Sequence, residues 1–358
     1  MNVRMKRLLS IVLIVAVVIL VAEYAAPTTR RKRIDISNMR GEAPVKIISL
    51  NTYISTNDNH ELAYILGENG SIYVLRCIDG KYDVDLWQPE FWDGIKITDL
   101  CMNYPMMYAL AMDEDGQLYI WNKEYGYDPY TADEIKKEQW NISRIDGIPK
   151  VTDVFAAYNQ FVIVTEIGDV YRWYPKDQPC PAIEEMERLD VEPPIINIAA
   201  TKEELLILDR NHVLWSVENG TSRYLQKDVQ NIVQGPAAGF AVQTTNSEIN
   251  VYNSLALERD YEKTTFADRY EVSRIAFEGD VSSLAVSSSA AVVCIDGDKL
   301  YRWGRKSPKV LFGTYPGYEE TYETPVKINI DTPQYYTLVG HDMIYVDNQN
   351  NMFAIIQN

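Results

Sequence analysis

The chain has 358 residues, with 34 Lys and Arg against 51 Asp and Glu, a formal net charge of −17. Its length and 46% hydrophobic content allow a large buried core, so it need not rely on cross-links or metals for stability. The acidic balance argues against a protein that binds nucleic acid by neutralising phosphates, and four cysteines are too few for a disulfide framework.

In chain order, residues 1–7 form a short tail made basic by Arg4, Lys6 and Arg7. Residues 8–26 read as one N-terminal transmembrane helix, because residues 8–22 (LLSIVLIVAVVILVA) contain no charge. Fifteen apolar residues are few for a membrane span and many for a signal-peptide core, so the cleavage site decides. Glu23 and Tyr24 stand where a signal peptidase wants a small residue, which predicts an uncleaved signal anchor. No Cys follows the apolar run, which excludes a bacterial lipoprotein. Basic residues lie on both sides of it, so the charge rule is nearly balanced. The expected topology is tail inside and body outside, since a cleaved leader and a tail-in anchor both export the body. The inverted topology makes it a cytosolic-facing membrane scaffold. Residues 27–43 read as a basic linker whose Arg30, Arg31, Lys32 and Arg33 either meet anionic head groups or are simply solvated.

From residue 44 to 358 one phrase occurs seven times: an apolar run, a turn of Asp, Glu, Asn or Gly, then an alternating strand ending in Tyr-x-Trp or a relative. The clearest copies are residues 108–121 (YALAMDEDGQLYIW), 161–173 (FVIVTEIGDVYRW) and 290–303 (AAVVCIDGDKLYRW). Weaker ones are 62–75, 205–217, 239–252 and 343–355. The apolar residues after the turns are Ile72, Leu118, Val170, Leu214, Ile249, Leu300 and Met352, spaced by 46, 52, 44, 35, 51 and 52 residues. An apolar-x-x-apolar step precedes each copy: Ile47/Leu50, Ile97/Leu100, Val151/Val154, Ile195/Ile198, Val229/Ile232, Val281/Leu284 and Tyr335/Leu338. Two phrases in register at such a period indicate a repeat architecture, and about 45 residues per unit suffice for a four-stranded blade. The expected fold is all-β, a seven-bladed β-propeller. Its weakest point is the 35-residue step between Leu214 and Ile249, where a blade could lack a strand.

Kelch units carry paired glycines, which are absent here, and WD units end a strand in Trp-Asp, whereas Trp92-Asp93 lies outside the repeated frame. Residues 153–173 (DVFAAYNQFVIVTEIGDVYRW) resemble the regulator of chromosome condensation repeat. Residues 300–306 (LYRWGRK), 338–346 (LVGHDMIYV) and 121–126 (WNKEYG) show it again, so the resemblance covers nearly all of the chain after residue 43. Ala157, Thr201 and Ser287 replace the family's first glycine, and its closing G-Q-L-G is missing. The resemblance implies a propeller with altered blade connections. It does not carry over the namesake's nucleotide-exchange activity, and other members of the family are pure binders.

Beyond residue 33 the body holds 27 basic and 50 acidic side chains, near −23, which suits solubility or a basic partner and disfavours nucleic acid. Cys77, Cys101, Cys180 and Cys294 show no metal-binding spacing. Cys101 and Cys294 read as small core residues, and Cys77 with Cys101 would be the pair in any disulfide. His60, His212 and His341 fall in different repeats, with no nucleophile–base order and no phosphate-binding loop. The chain is therefore expected to be non-catalytic, with no cofactor or metal. The turn Asp113-Glu114-Asp115-Gly116 lacks the Ser-x-Asp-x-Gly-x-x-Trp spacing of sialidase-type propellers and reads as a hairpin turn.

The longest insertions, 122–139, 174–192, 253–271 and 304–323, follow the Tyr-x-Trp strand in four units, which puts them on one rim. Tyr125, Tyr127, Tyr130, Tyr315, Tyr318 and Tyr322 make that rim the candidate protein-binding surface. The same aromatics and carboxylates leave a carbohydrate-binding or glycan-processing surface as the alternative. Trp121, Trp173 and Trp303, repeated at one position, are expected to pack the seams between blades.

Overall fold

The computed structural model describes residues 29–49, 60–78, 81–103, 108–122, 142–175, 183–191, 194–200, 204–218, 221–234, 240–252, 272–286, 290–304, 325–330, 333–339 and 342–357. The expected anchor, residues 8–26, lies outside them. Among the described residues no helix is long and apolar enough to cross a membrane.

The described strands form seven antiparallel four-stranded sheets. Six follow chain order, blade 1 spanning Pro44–Ser49 to Lys81–Leu86 and blade 6 spanning Val281–Val286 to Val326–Ile328. The first strands of adjacent blades touch all the way round, so they surround a central axis. Blade 7 takes its first three strands, Pro333–Val339, Asp342–Asp347 and Met352–Gln357, from the end of the chain and its fourth, Thr29–Ile34, from the beginning. The expected linker at 27–43 is therefore corrected. Residues 29–34 pair from Thr29↔Gln357 to Ile34↔Met352 and close the ring. Downstream, a 3-10 turn at Ser37–Met39 buries Met39 completely between blades 7 and 1.

Seven apolar clusters occupy the seven seams, each formed by two neighbouring blades. The seven residues after the turns are all buried, from Ile72 at 1% exposure to Met352 at 0%. Trp121, Trp173 and Trp303 are buried in the seams of blades 1 and 2, 2 and 3, and 5 and 6. Cys77 and Cys101 are buried thiols in different seams, which accounts for the absence of a disulfide between them.

The apolar-x-x-apolar step has a structural cause. In every blade the pairing of the first and second strands shifts by one residue after the first pair, as between Ile97 and Asp99 or Val151 and Asp153. This bulge turns residues i and i+3 to the same side, where an unbroken strand would align i and i+2. Asp99, Asn197 and Asn231 cap it, each carboxylate or amide oxygen accepting the next residue's N–H at 2.7–2.9 Å. The same register moves the step in two blades, to Pro44/Ile47 in blade 1 and Pro333/Tyr336 in blade 7. The short step between Leu214 and Ile249 hides no missing strand. Blade 4 is complete, with only two residues before Thr221–Gln226 and two after it.

Each hairpin between second and third strands contains a residue with positive φ: Gly70, Gly116, Gly168, His212, Ser247, Gly297 and Asn350. At three of them the carbonyl accepts the first N–H of the next blade, from Ile97, Val151 and Val229 at 3.1–3.2 Å. His212 adds its Nδ1, 3.0 Å from the Val229 carbonyl, so it is a structural turn residue. A Cβ on Gly116 would lie 2.4 Å from the Val151 carbonyl oxygen, whereas one on Gly147 would meet nothing within 4 Å.

Two consequences are measurable in denaturant melts. Trp173→Ala should cost about 3–5 kcal/mol as it empties a seam. A loss below about 1 kcal/mol would mean that the ring does not pack through this side chain. Gly116→Ala should cost at least about 2 kcal/mol, more than Gly147→Ala, which shares the positive φ without the close blade contact.

Candidate functional site

The antiparallel blades give the ring two distinct faces. One carries the hairpins between second and third strands together with the blade-to-blade connections. The other carries the links from first to second and from third to fourth strands.

The four long insertions belong to the second face. The strand ends that bound them, Asn122 and Ser143, Trp173 and Glu187, Tyr252 and Val272, Gly304 and Val326, occupy equivalent places in blades 2, 3, 5 and 6. Tyr125, Tyr127, Tyr130, Tyr315, Tyr318 and Tyr322 lie outside the described residues. What is described at the base of one insertion is a locked ion pair. Arg172, 5% exposed, donates through Nε and Nη2 to one oxygen of Glu187, and its guanidinium carbon sits 5.1 Å from the Tyr174 ring centre. Burial raises the Tyr174 hydroxyl's pKa against the opposing pull of Arg172. Arg302 occupies the same place in the Tyr-Arg-Trp of blade 6 and is also buried.

The first face holds a groove of about 460 Å³ around the blade 2 hairpin, lined by residues 94–96, 113–117, Tyr119, Arg144, Ile148 and Lys150. The hairpin is self-supporting, since Asp113 Oδ1 accepts the N–H groups of Asp115 and Gln117 at 3.0 and 2.9 Å. Its other oxygen accepts the Tyr119 hydroxyl at 2.9 Å. Burial, reinforced by this bond to Asp113, pushes the Tyr119 pKa up to about 12, so at neutral pH the group is a fixed proton donor. Lys96, Lys150 and Arg144 bring positive charge from two blade connections and the fourth strand, and Arg144 pairs with Asp146 at 2.9 Å. Charges of both signs line the groove. The arrangement can hold a zwitterionic or mixed-charge group by weak, exposed contacts. The acidic turn is legible in the sequence, but its basic counterparts, spread over residues 96–150, carry no local signal.

No family model and no curated protein matches this sequence. Solved structures do resemble it. The yeast RCC1 (Prp20) bound to Kap60 is 16% identical with a TM-score of 0.52, the match covering 76% of this chain and 72% of that one. Prp20p from Saccharomyces cerevisiae, crystallised in a study of its binding to Gsp1p and histones, is 13% identical, TM-score 0.53, covering 82% and 80%. The Cps50 (Swd1) β-propeller domain of Myceliophteria thermophila is 10% identical, TM-score 0.52, covering 92% and 99%.

The groove chemistry is open to titration. A folded-state pKa above the unfolded value of about 10 means that Tyr119 contributes stability below pH 10, which is lost as pH rises towards 12. Ultraviolet difference titration should therefore show one late-titrating tyrosine fewer in Tyr119→Phe, and its stability should decline less steeply between those pH values. At these identities the likeness to the solved structures is one of fold: a seven-bladed β-propeller.

Proposed function

We propose that this protein is a membrane-anchored, extracytoplasmic and non-catalytic interaction module, whose propeller presents the insertion-bearing face to a protein partner. The observation that carries the reading is the placement of four long insertions at equivalent strand ends of blades 2, 3, 5 and 6 on a ring packed through seven seams. A rigid ring fixes the insertions relative to one another, so little ordering entropy is lost on binding. Tyrosine supplies large contact area with few rotatable bonds, and the first and last of these insertions each contain at least three. Anchoring rests on the uncharged residues 8–22 and on the poor cleavage site at Glu23 and Tyr24.

Protein binding is also what the similar folds do: the solved structures pair RCC1 (Prp20) with Kap60 and connect Prp20p to Gsp1p and histones. For this chain a partner with a basic contact surface fits a body near −23.

Protease shaving of intact cells followed by mass spectrometry should release peptides from residues 44–358 and leave the apolar segment behind. Protection of the body until the cells are broken would reject the external topology. Tyr127→Ala, Tyr130→Ala, Tyr318→Ala and Tyr322→Ala combined should abolish capture of partners that residues 27–358 retain. If every partner still binds, the rim reading fails.

A further inference from the structure

The outer edge of blade 7 differs in charge from every other edge of the ring. Its fourth strand, Thr29–Ile34, reads TRRKRI, with four consecutive basic residues. The fourth strands of the other blades carry between −1 and +1: KYDVDL, SRI, ERL, TSRYLQ, VSRIA and VKI. Its pairing partner, Met352–Gln357 (MFAIIQ), contributes no charge. Among the described residues, Asp35 and Asp347 lie within electrostatic reach of Arg33 and Arg31, and the neighbouring fourth strand of blade 1 adds Asp83 and Asp85 against Lys81. Hydrogen bonds from Ser37 lower the Asp35 pKa, and Asp347 is lowered too, its burial outweighed by hydrogen bonds from Asn351 and Gln349, with smaller contributions from Arg33 and Arg31 respectively. With all of these counted the strip stays net positive, in a body whose residues 34–358 are near −23.

Three of these side chains, those of Arg31, Lys32 and Arg33, make defined contacts. Arg31 and Arg33 are exposed and alternate onto one side of the strand. The Arg31 guanidinium lies 3.9 Å from the Phe353 ring centre and 5.7 Å from that of Tyr345, while Arg33 Nη2 donates to Asn351 Oδ1 at 2.7 Å. Lys32 points the other way, its ammonium 5.8 Å from the Tyr82 ring of blade 1. Six residues, 23–28, separate the uncharged run 8–22 from Thr29, a reach of about 25 Å at most.

We propose that the outer edge of blade 7 is a docking surface for an anionic lipid bilayer. The strand lies against the head groups, the propeller axis runs parallel to the membrane, and both faces of the ring open sideways to partners. An anionic plane repels a body of net negative charge and attracts this edge, over about 10 Å at 0.1 M salt. Each basic residue at such a surface raises partitioning about fivefold. The proposal rests on the membrane reading of residues 8–26 and adds to it a lipid class and an orientation.

Residues 27–358 contain all the described strands and all seven seams, so this soluble piece tests the edge without the apolar segment. It should sediment with phosphatidylcholine vesicles containing phosphatidylserine, release as salt is raised, and ignore vesicles of phosphatidylcholine alone. Arg31→Gln with Arg33→Gln should weaken sedimentation about tenfold or more. Arg31→Lys with Arg33→Lys should keep it, as should Arg223→Gln with Arg274→Gln, which removes equal charge from blades 4 and 5. Should the Gln pair fail to fold in a thermal melt, Lys32→Gln serves, with a loss of about fivefold. Failure to sediment with anionic vesicles at low salt would overturn the proposal, and so would equal binding to neutral vesicles or equal losses at the two edges. The membrane reading fails separately, if an alkaline wash strips the full chain from cell membranes.

Discussion

Ring closure is the constraint on which the rest of this structure depends. Each blade is apolar on both faces, so no blade is stable until it has a neighbour on either side. Seven blades in an open row would leave two such faces in water. The pairing of Thr29–Ile34 with Met352–Gln357 removes that cost and brings Ile34 and Met39 into the seam between blades 7 and 1, where they are 1% and 0% exposed. Backbone bonds from the hairpins to the neighbouring blades add direction, since each stitch fixes the offset of one blade against the next. Closure therefore makes both ends of the chain part of one cooperative unit, with contacts between residues over 300 positions apart.

How much of this could be read from the sequence follows from which contacts are local. The second and third strands form a hairpin whose alternation and turn residues lie within about fifteen residues, and they are legible in all seven blades. First strands are legible in five, because the bulge writes an apolar-x-x-apolar signature into the chain. In blades 1 and 7, Pro44 and Pro333 occupy its first apolar position and the frame slips to the nearest aliphatic or aromatic residues. The fourth strands are nearly invisible. Ser143–Ile145, Glu187–Leu189 and Val326–Ile328 have three residues each and follow long insertions, so nothing periodic marks them. The strand at 29–34 is concealed further by its charge. Four basic residues read as linker until the aromatic partners Tyr345 and Phe353, far along the chain, give Arg31 a surface to stack on.

The candidate surfaces divide in the same way. That the four insertions share a face follows from repeat position alone, and the bounding strand ends agree. The groove at blade 2 is different, because Lys96, Arg144 and Lys150 meet the acidic hairpin only after blades 1, 2 and 3 are assembled. No sequence pattern encodes a site whose walls come from separate connections.

Closure by the first strand also decides what a tether at the N-terminus can do. A flexible linker would let the ring tumble, and a bound partner would sit at no fixed height above the surface. In the proposed anchored arrangement the chain enters the outermost strand of blade 7 within seven residues of the uncharged run 8–22, so the ring is held by its circumference. Neither circular face points at the bilayer in that arrangement, so two partners can engage one propeller without competing for space beneath it. The acidic excess of the remaining body works in the same direction, since anionic lipid repels a body of net negative charge. Thus one short basic strand closes the ring and, in the proposed arrangement, also sets the orientation from which either face is used.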